Sequence, residues 1–175
     1  MKNGTIRGNA AGILLATFIV ILMVMPAACS ESELESGTTV SLAVDRDINQ
    51  GDMFAVEVRI DTEVACRGAQ FELTFDPALM RCDEVVEGEF FKDWAADKGG
   101  FTIVVRQPTI DNVQGRVSVM GIAVFGGGTD GAKGSGVLGS YHFTALADGT
   151  ASPTLLDVVV SDVSGNAIPE VKVKN

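Results

Sequence analysis

Between Thr38 and Val173 apolar and polar residues alternate in short runs that are repeatedly broken by Gly, Asp, Asn and Pro. A period of two marks half-buried β-strands. The clearest run is GAQFELTFDPALM, 68–80. Ala69, Phe71, Leu73 and Phe75 fall on one side of an extended strand, and Gln70, Glu72 and Thr74 on the other. Asp76-Pro77 ends it, because proline lacks a ladder donor and fixes its own φ, and Leu79-Met80 then tucks back under the sheet.

The same reading predicts a strand over 38–45, with Val40, Leu42 and Val44 on one face, and another over 53–60, with Phe54, Val56, Val58 and Ile60 inward and Glu57 and Arg59 outward. The polar turn RDINQGD, 46–52, joins these two into an opening hairpin, and Asp61-Thr62 ends the second. Further strands are expected at 82–86, 101–106, 116–125, 137–146, 153–161 and 168–173, and a glycine-dense surface loop at 126–136. No helix is predicted. Residues 87–100 carry Phe90, Phe91 and the single tryptophan, Trp94, and read either as a cap over one end of the core or as an exposed platform for sugar stacking. About nine short strands in one uninterrupted domain predict an all-β fold, a nine-stranded jelly-roll β-sandwich.

The N-terminus changes the picture of where this domain resides. Lys2 and Arg7 precede an uncharged apolar stretch, Ala11 to Ala28, followed by Cys29 and the polar run SESELES. Residues 1–28 are read as a signal peptide with lipoprotein processing before Cys29, and 29–37 as an acidic tether. An uncleaved membrane anchor and simple release are the competing readings. All three place the remaining chain outside the cytoplasm, and lipidation would hold it at the cell surface.

The chain has 13 basic and 23 acidic residues, a formal net charge of −10. Loss of residues 1–28 removes Lys2 and Arg7 and no acid, which moves the charge to −12. Such a surface repels phosphate backbones, and there is no basic stripe or zinc-ligand spacing, so nucleic acid is not an expected partner. Cys66 and Cys82 flank the central strand, and two readings stand for them: a disulfide, or two separately buried thiols.

Chemistry-bearing patterns are few. Glu72 and Asp157 are the best-placed carboxylates for a glycosidase pair, but sequence does not bring them face to face. There is no nucleophile elbow and no His-Glu-x-x-His, and His142, the sole histidine, reads as a half-exposed strand position. The glycine loop lacks the ending of a phosphate cradle. Asp45, Asp47, Asn49 and Asp52 crowd one turn, and Asp162 with Asn166 another, and two readings stand for them: a structural calcium ion, or solvated turn residues, which explain both. No enzyme is expected, and no metal site is assigned.

Four segments taken in order, INQGDMFAVEVRID, GAQFELTFDPALM with VVEGEFF, GRVSVMGIAVF, and GSGVLGSYHFTALADGTASPTLLDVVVSDVSGNAIP, resemble the cohesin domain over about residues 38–173. The resemblance implies a nine-stranded jelly roll over 38–175 that binds dockerin modules of other proteins, in some bacteria polysaccharide-degrading enzymes. It also implies docking on the sheet of the third, fifth, sixth and eighth strands. The outward residues would be Gly68, Gln70, Glu72 and Thr74 on the third, Thr102 and Val104 on the fifth, and Ser118, Met120 and Ile122 on the sixth. Gly68 and Gln70 stand where many cohesins carry Asn and Asp. Overall acidity would steer a partner bearing Lys or Arg. A carbohydrate-binding module is the alternative, and it requires exposed aromatics in line, with Trp94 and Phe90 open rather than buried.

Overall fold

The structure is a computed structural model, described here over residues 37–42 and 46–175. The expected signal segment, Cys29 and most of the tether lie outside the described residues, as do Ala43, Val44 and Asp45. The elements are β1 (Thr38–Leu42), β2 (Arg46–Ile48), β3 (Met53–Thr74), β4 (Met80–Glu87), α1 (Glu89–Asp97), β5 (Phe101–Arg106), β6 (Ile110–Asp111), β7 (Arg116–Phe125), β8 (Ala132–Ala145), β9 (Gly149–Ala151), β10 (Thr154–Asp162) and β11 (Lys172–Lys174). Nine of the strands share one hydrogen-bonded network, and β2 and β9 form a separate ribbon.

The fold is built on β3. Its first half lies between β1 and β8, and its second half between β10 and β7. Two layers result, β11-β1-β3-β8-β4 and β10-β3-β7-β5, an all-β jelly-roll sandwich. The expected stop at Asp61-Thr62 does not occur. Asp61 and Glu63 point to solvent while Thr62 is buried, and its hydroxyl meets that of Thr38 at 2.7 Å. A polar residue with a partner is no barrier to a strand. The register shift against β8 between Thr62 and Cys66 marks where the strand passes from one layer to the other.

The inward rows interlock as the alternation predicts. Val58, Ile60, Phe71 and Leu73 of β3 are fully buried with Leu138, Tyr141 and Phe143 of β8. Phe71 meets Tyr141 edge-on at 6.5 Å, and Phe143 packs between Phe54 and Phe75, at 5.7 and 5.1 Å. This buried apolar area is the main drive to fold.

Three expectations fail here. The first is the absence of a helix, since α1 occupies the aromatic segment. Phe91 and Ala95, four residues apart, are buried, and Phe90 and Trp94 pack against the core beside them. The helix ends as helices commonly do: Gly99 takes φ 72°, its N–H donates to Ala96, and the Gly100 N–H reaches back to Ala95 at 2.7 Å. The second is the disulfide, one of the two readings open for the cysteines; the other, two separately buried thiols, is what the fold contains. Both thiols are free and buried; Cys66 lies opposite Ala132 and Cys82 opposite Phe143 on the same strand β8. Eleven strand positions separate those partners, on the order of 30 Å, whereas a bridge needs Cα atoms within about 7 Å.

The third is the extent of the glycine loop. Only 126–131 is a loop, and β8 begins at Ala132. Its Gly136 passes beneath the ring of Phe90, where a Cβ would stand 2.8 Å from Cδ2, so the glycine is a packing requirement rather than a sign of looseness. The loop itself is clasped: the Arg67 guanidinium donates to the carbonyls of Gly126 and Gly128 and lies over the Trp94 ring at 5.6 Å. The turns expected at 46–52 and 147–150 are present at 49–52 and 146–148, and the residues beside them, 46–48 and 149–151, pair as the β2–β9 ribbon.

Candidate interaction face

The outer side of the β10-β3-β7-β5 layer is open to water, and its side chains follow from register. Gly68 lies opposite Ala123 and Gln70 opposite Gly121 on β7, while Ser161 and Val159 of β10 flank the same two β3 positions. On the far edge, Ile103 pairs with Ala123 and Phe101 with Phe125. The exposed apolar residues on the layer's outer side are Phe101 (58%), Val105 (57%), Phe125 (43%), Leu156 (42%) and Ile103 (42%). Phe101 and Phe125 stack at 5.9 Å. Isolated exposed apolar residues need no explanation, but a contiguous set on one sheet face marks an interaction surface.

The four expected positions on β3 do lie on this side. Gly68 is buried in its floor, Gln70 and Thr74 are half-buried, and Glu72 is buried. The expected positions on β5 and β7 are partly inverted. Met120 and Ile122 are core residues, 2% and 3% exposed. Between them and Val117 the register of β7 shifts, so that Leu73 pairs with Val117 but Phe71 with Met120. That bulge changes the parity, and an unbroken alternation from Ser118 onward is therefore wrong. Ser118 itself is half-buried at the sheet edge, with its hydroxyl accepting the Thr109 N–H at 2.8 Å.

On β5, Thr102 and Val104 turn inward, and Val104 packs against the core. Phe101, Ile103 and Val105 are the outward residues, and sequence reading missed them. FTIVVR is apolar on both parities, so hydrophobicity alone does not choose a face. A usable signal was the small pair Gly121 and Ala123 on β7, which leave the outer face hollow rather than the core.

Across the middle of the face runs an open depression of about 480 Å³. Gly68, Gly121 and Ala123 line its floor; Val105 and Arg106 stand on one side, and Val159 and Ser161 on the other. The Asp162–Gly165 turn closes one end. Its shape is fixed by Asp162, whose Oδ1 accepts the N–H groups of Ser164 (2.8 Å) and Asn166 (2.9 Å). Those hydrogen bonds, from Asn166 foremost, hold the Asp162 carboxyl below the usual carboxylate range. Near the opposite end of the layer Arg116 covers Glu72, and its hydrogen bonds lower that carboxyl too.

The other candidate chemistry does not assemble. Both Glu72 oxygens are taken by Arg116, and Asp157 is exposed at a bulge with φ 49°, so the two form no open acid–base pair. Asp47 accepts the Thr150 hydroxyl and Asp52 the Asn49 N–H. Among the described residues no three of the His, Cys, Asp and Glu side chains gather as metal ligands. His142 is exposed on β8. Phe90 and Trp94 pack against the core, with Arg67 over the indole, and do not form the open aromatic strip that sugar stacking requires.

Known structures share this architecture. The non-cellulosomal cohesin from the hyperthermophilic archaeon Archaeoglobus fulgidus is 18% identical, with a TM-score of 0.59 over 79% of this chain and 87% of that one. The second type II cohesin module of the ScaA adaptor scaffoldin of Acetivibrio cellulolyticus is 13% identical, TM-score 0.64, covering 79% and 86%. A type II cohesin–X–dockerin complex from the same organism contains a chain that is 14% identical, TM-score 0.60, covering 79% and 96%. Among curated proteins none matches. The family model described as "Cohesin domain" matches residues 38–175, and with that match over most of its length the chain belongs to the cohesin family.

Proposed function

We propose that residues 38–175 are a non-catalytic receptor for dockerin-bearing proteins and that the partner docks on the outer side of the β10-β3-β7-β5 layer. The observation that carries this reading is the open face itself, with apolar residues exposed along β5 and small residues in the centre. Such a surface excludes water at its middle while Arg106, Gln70 and Ser161 around it fix register. The match to a cohesin model, and the relative solved in complex with an X–dockerin partner, supply the class of partner.

The test is calorimetric titration of the protein with dockerin modules from secreted polysaccharide-degrading enzymes of the source organism. Saturable binding that is lost in an Ile103→Asp, Val105→Asp variant supports the reading. Retention on insoluble polysaccharide with no dockerin bound would replace it with the carbohydrate-binding alternative. The apolar stretch before Cys29 supports a further part of the proposal, that a lipid on Cys29 holds this receptor at the outer surface of the cell. A Cys29→Ser variant is then released to the medium or retained unprocessed, whereas unchanged mature mass and membrane retention would refute that anchor.

A further inference from the structure

Resting on the dockerin-receptor reading, we infer that this face selects a partner presenting one bulky apolar side chain beside a carboxylate: Gly121 and Ala123 open the socket for the first, and Arg106 meets the second. The floor of the depression is side-chain-poor where strands normally carry side chains. A Cβ placed on Gly121 would lie 3.2 Å from Cβ of Arg106 and 3.5 Å from Cγ2 of Val105, and one on Gly68 would lie 3.1 Å from the Ile122 carbonyl. The stems of Arg106 and Val105 thus border the side-chain-free position at Gly121, and the neighbouring backbone borders the one at Gly68. Two strand spacings of about 4.8 Å on either side of the floor make the hollow wide enough for a large aliphatic or aromatic group. Its walls set apolar Val105 and Val159 beside Arg106 and Ser161.

Charge decides what accompanies that group. The chain as a whole is strongly acidic, which on its own predicts a basic partner. The charged side chains lining the depression are Arg67, Arg106 and Asp162. Arg67 is engaged by the Gly126 and Gly128 carbonyls, and Asp162 by the backbone of its own turn. The nearby Glu72 is neutralised by Arg116. Arg106 is exposed and makes no ion pair among the described residues. The local field at the docking centre is therefore positive inside an acidic surround, and it favours a partner carboxylate over a partner Lys or Arg.

The experiment is selection of a displayed dockerin-scaffold library, randomised on its exposed positions, against the detergent-solubilised full chain. The expected winners carry Leu, Ile, Met, Phe or Trp at one position with Asp or Glu adjacent to it on the same surface. Ala123→Leu, which fills the socket, lowers their binding at least tenfold. Arg106→Glu does the same, and selection against that variant returns Lys or Arg in place of the acid. Urea unfolding of both variants checks the fold; should Ala123→Leu unfold, the exposed Arg106→Glu pair of selections decides alone. Winners with small polar residues and no acid, or binding indifferent to both substitutions, would overturn the inference while leaving the receptor reading intact. A library that yields no binder at all would remove that reading, and the inference with it.

Discussion

Arg116 closes over Glu72 from the neighbouring strand. Its Nε donates to Oε1 and its Nη2 to Oε2, each at 2.6 Å, and the carboxylate is left 4% exposed under a side chain that is itself 51% exposed. The bidentate geometry is the strong form of this contact. It also removes from circulation the carboxylate that the alternating pattern presents as the obvious partner contact. Glu72 serves the sheet, with both of its oxygens held by Arg116.

A pH dependence follows with a definite sign. The Arg116 hydrogen bonds lower the Glu72 carboxyl in the folded state, so the pair adds stability above the unfolded carboxyl value and loses it as pH falls through the lower folded one. Glu72→Gln is expected to unfold at lower urea than the parent at pH 7, and the gap should narrow once the pH drops below about 4. A gap that widens on acidification would contradict this assignment.

The inverted faces of β5 and β7 predict opposite behaviour for two isoleucines. Ile122 is 3% exposed and Ile103 is 42% exposed. Ile122→Ala should cost about 2–5 kcal/mol of unfolding free energy, and Ile103→Ala about 0.5 kcal/mol or less. Binding of a dockerin partner should respond the other way, with Ile103→Ala the more damaging at equal folded fraction. Denaturant titration and calorimetry on the same preparations read both.

The cysteines are expected to be silent in the native protein. Burial pushes the Cys66 and Cys82 thiols up to about 12, so the reactive thiolate is scarce at neutral pH. Alkylation with iodoacetamide followed by peptide mass mapping should leave both unmodified in buffer and label both in strong denaturant, with or without prior reduction. Labelling in denaturant only after reduction would reveal a bridge.

Tyr141 is fully buried, and its hydroxyl finds no hydrogen-bond partner among the described residues. An unsatisfied buried hydroxyl opposes folding. Tyr141→Phe should therefore leave stability unchanged or raise it by about 1 kcal/mol in urea unfolding, where a partnered tyrosine would lose a similar amount.

Where alternation was one-sided the sequence was legible. The inward rows of β3 were readable because Glu57, Arg59, Gln70 and Thr74 contrast with their neighbours. The faces of β5 and β7 were not, because FTIVVR and RVSVMGIAVF are apolar on both parities and the β7 bulge follows from pairing with β3, not from local composition. The helix was written in Phe90, Phe91, Trp94 and Ala95 at spacings of one and four, with a Gly99-Gly100 stop, but nine residues rich in aromatics give a weak periodic signal beside so many strands. The covering of Glu72 was out of reach, since Arg116 lies 44 positions away and meets it only through sheet register.

The 22-residue strand β3 leaves the receptor without separable halves. The same covalent rod anchors the side that greets the partner and the side turned away from it, so prising open one must shear the rungs of the other. A ligand that grips the open side thereby lends its hold to the entire molecule. The occupied receptor should resist proteases and mechanical load as a single piece, even at loops far from the point of contact.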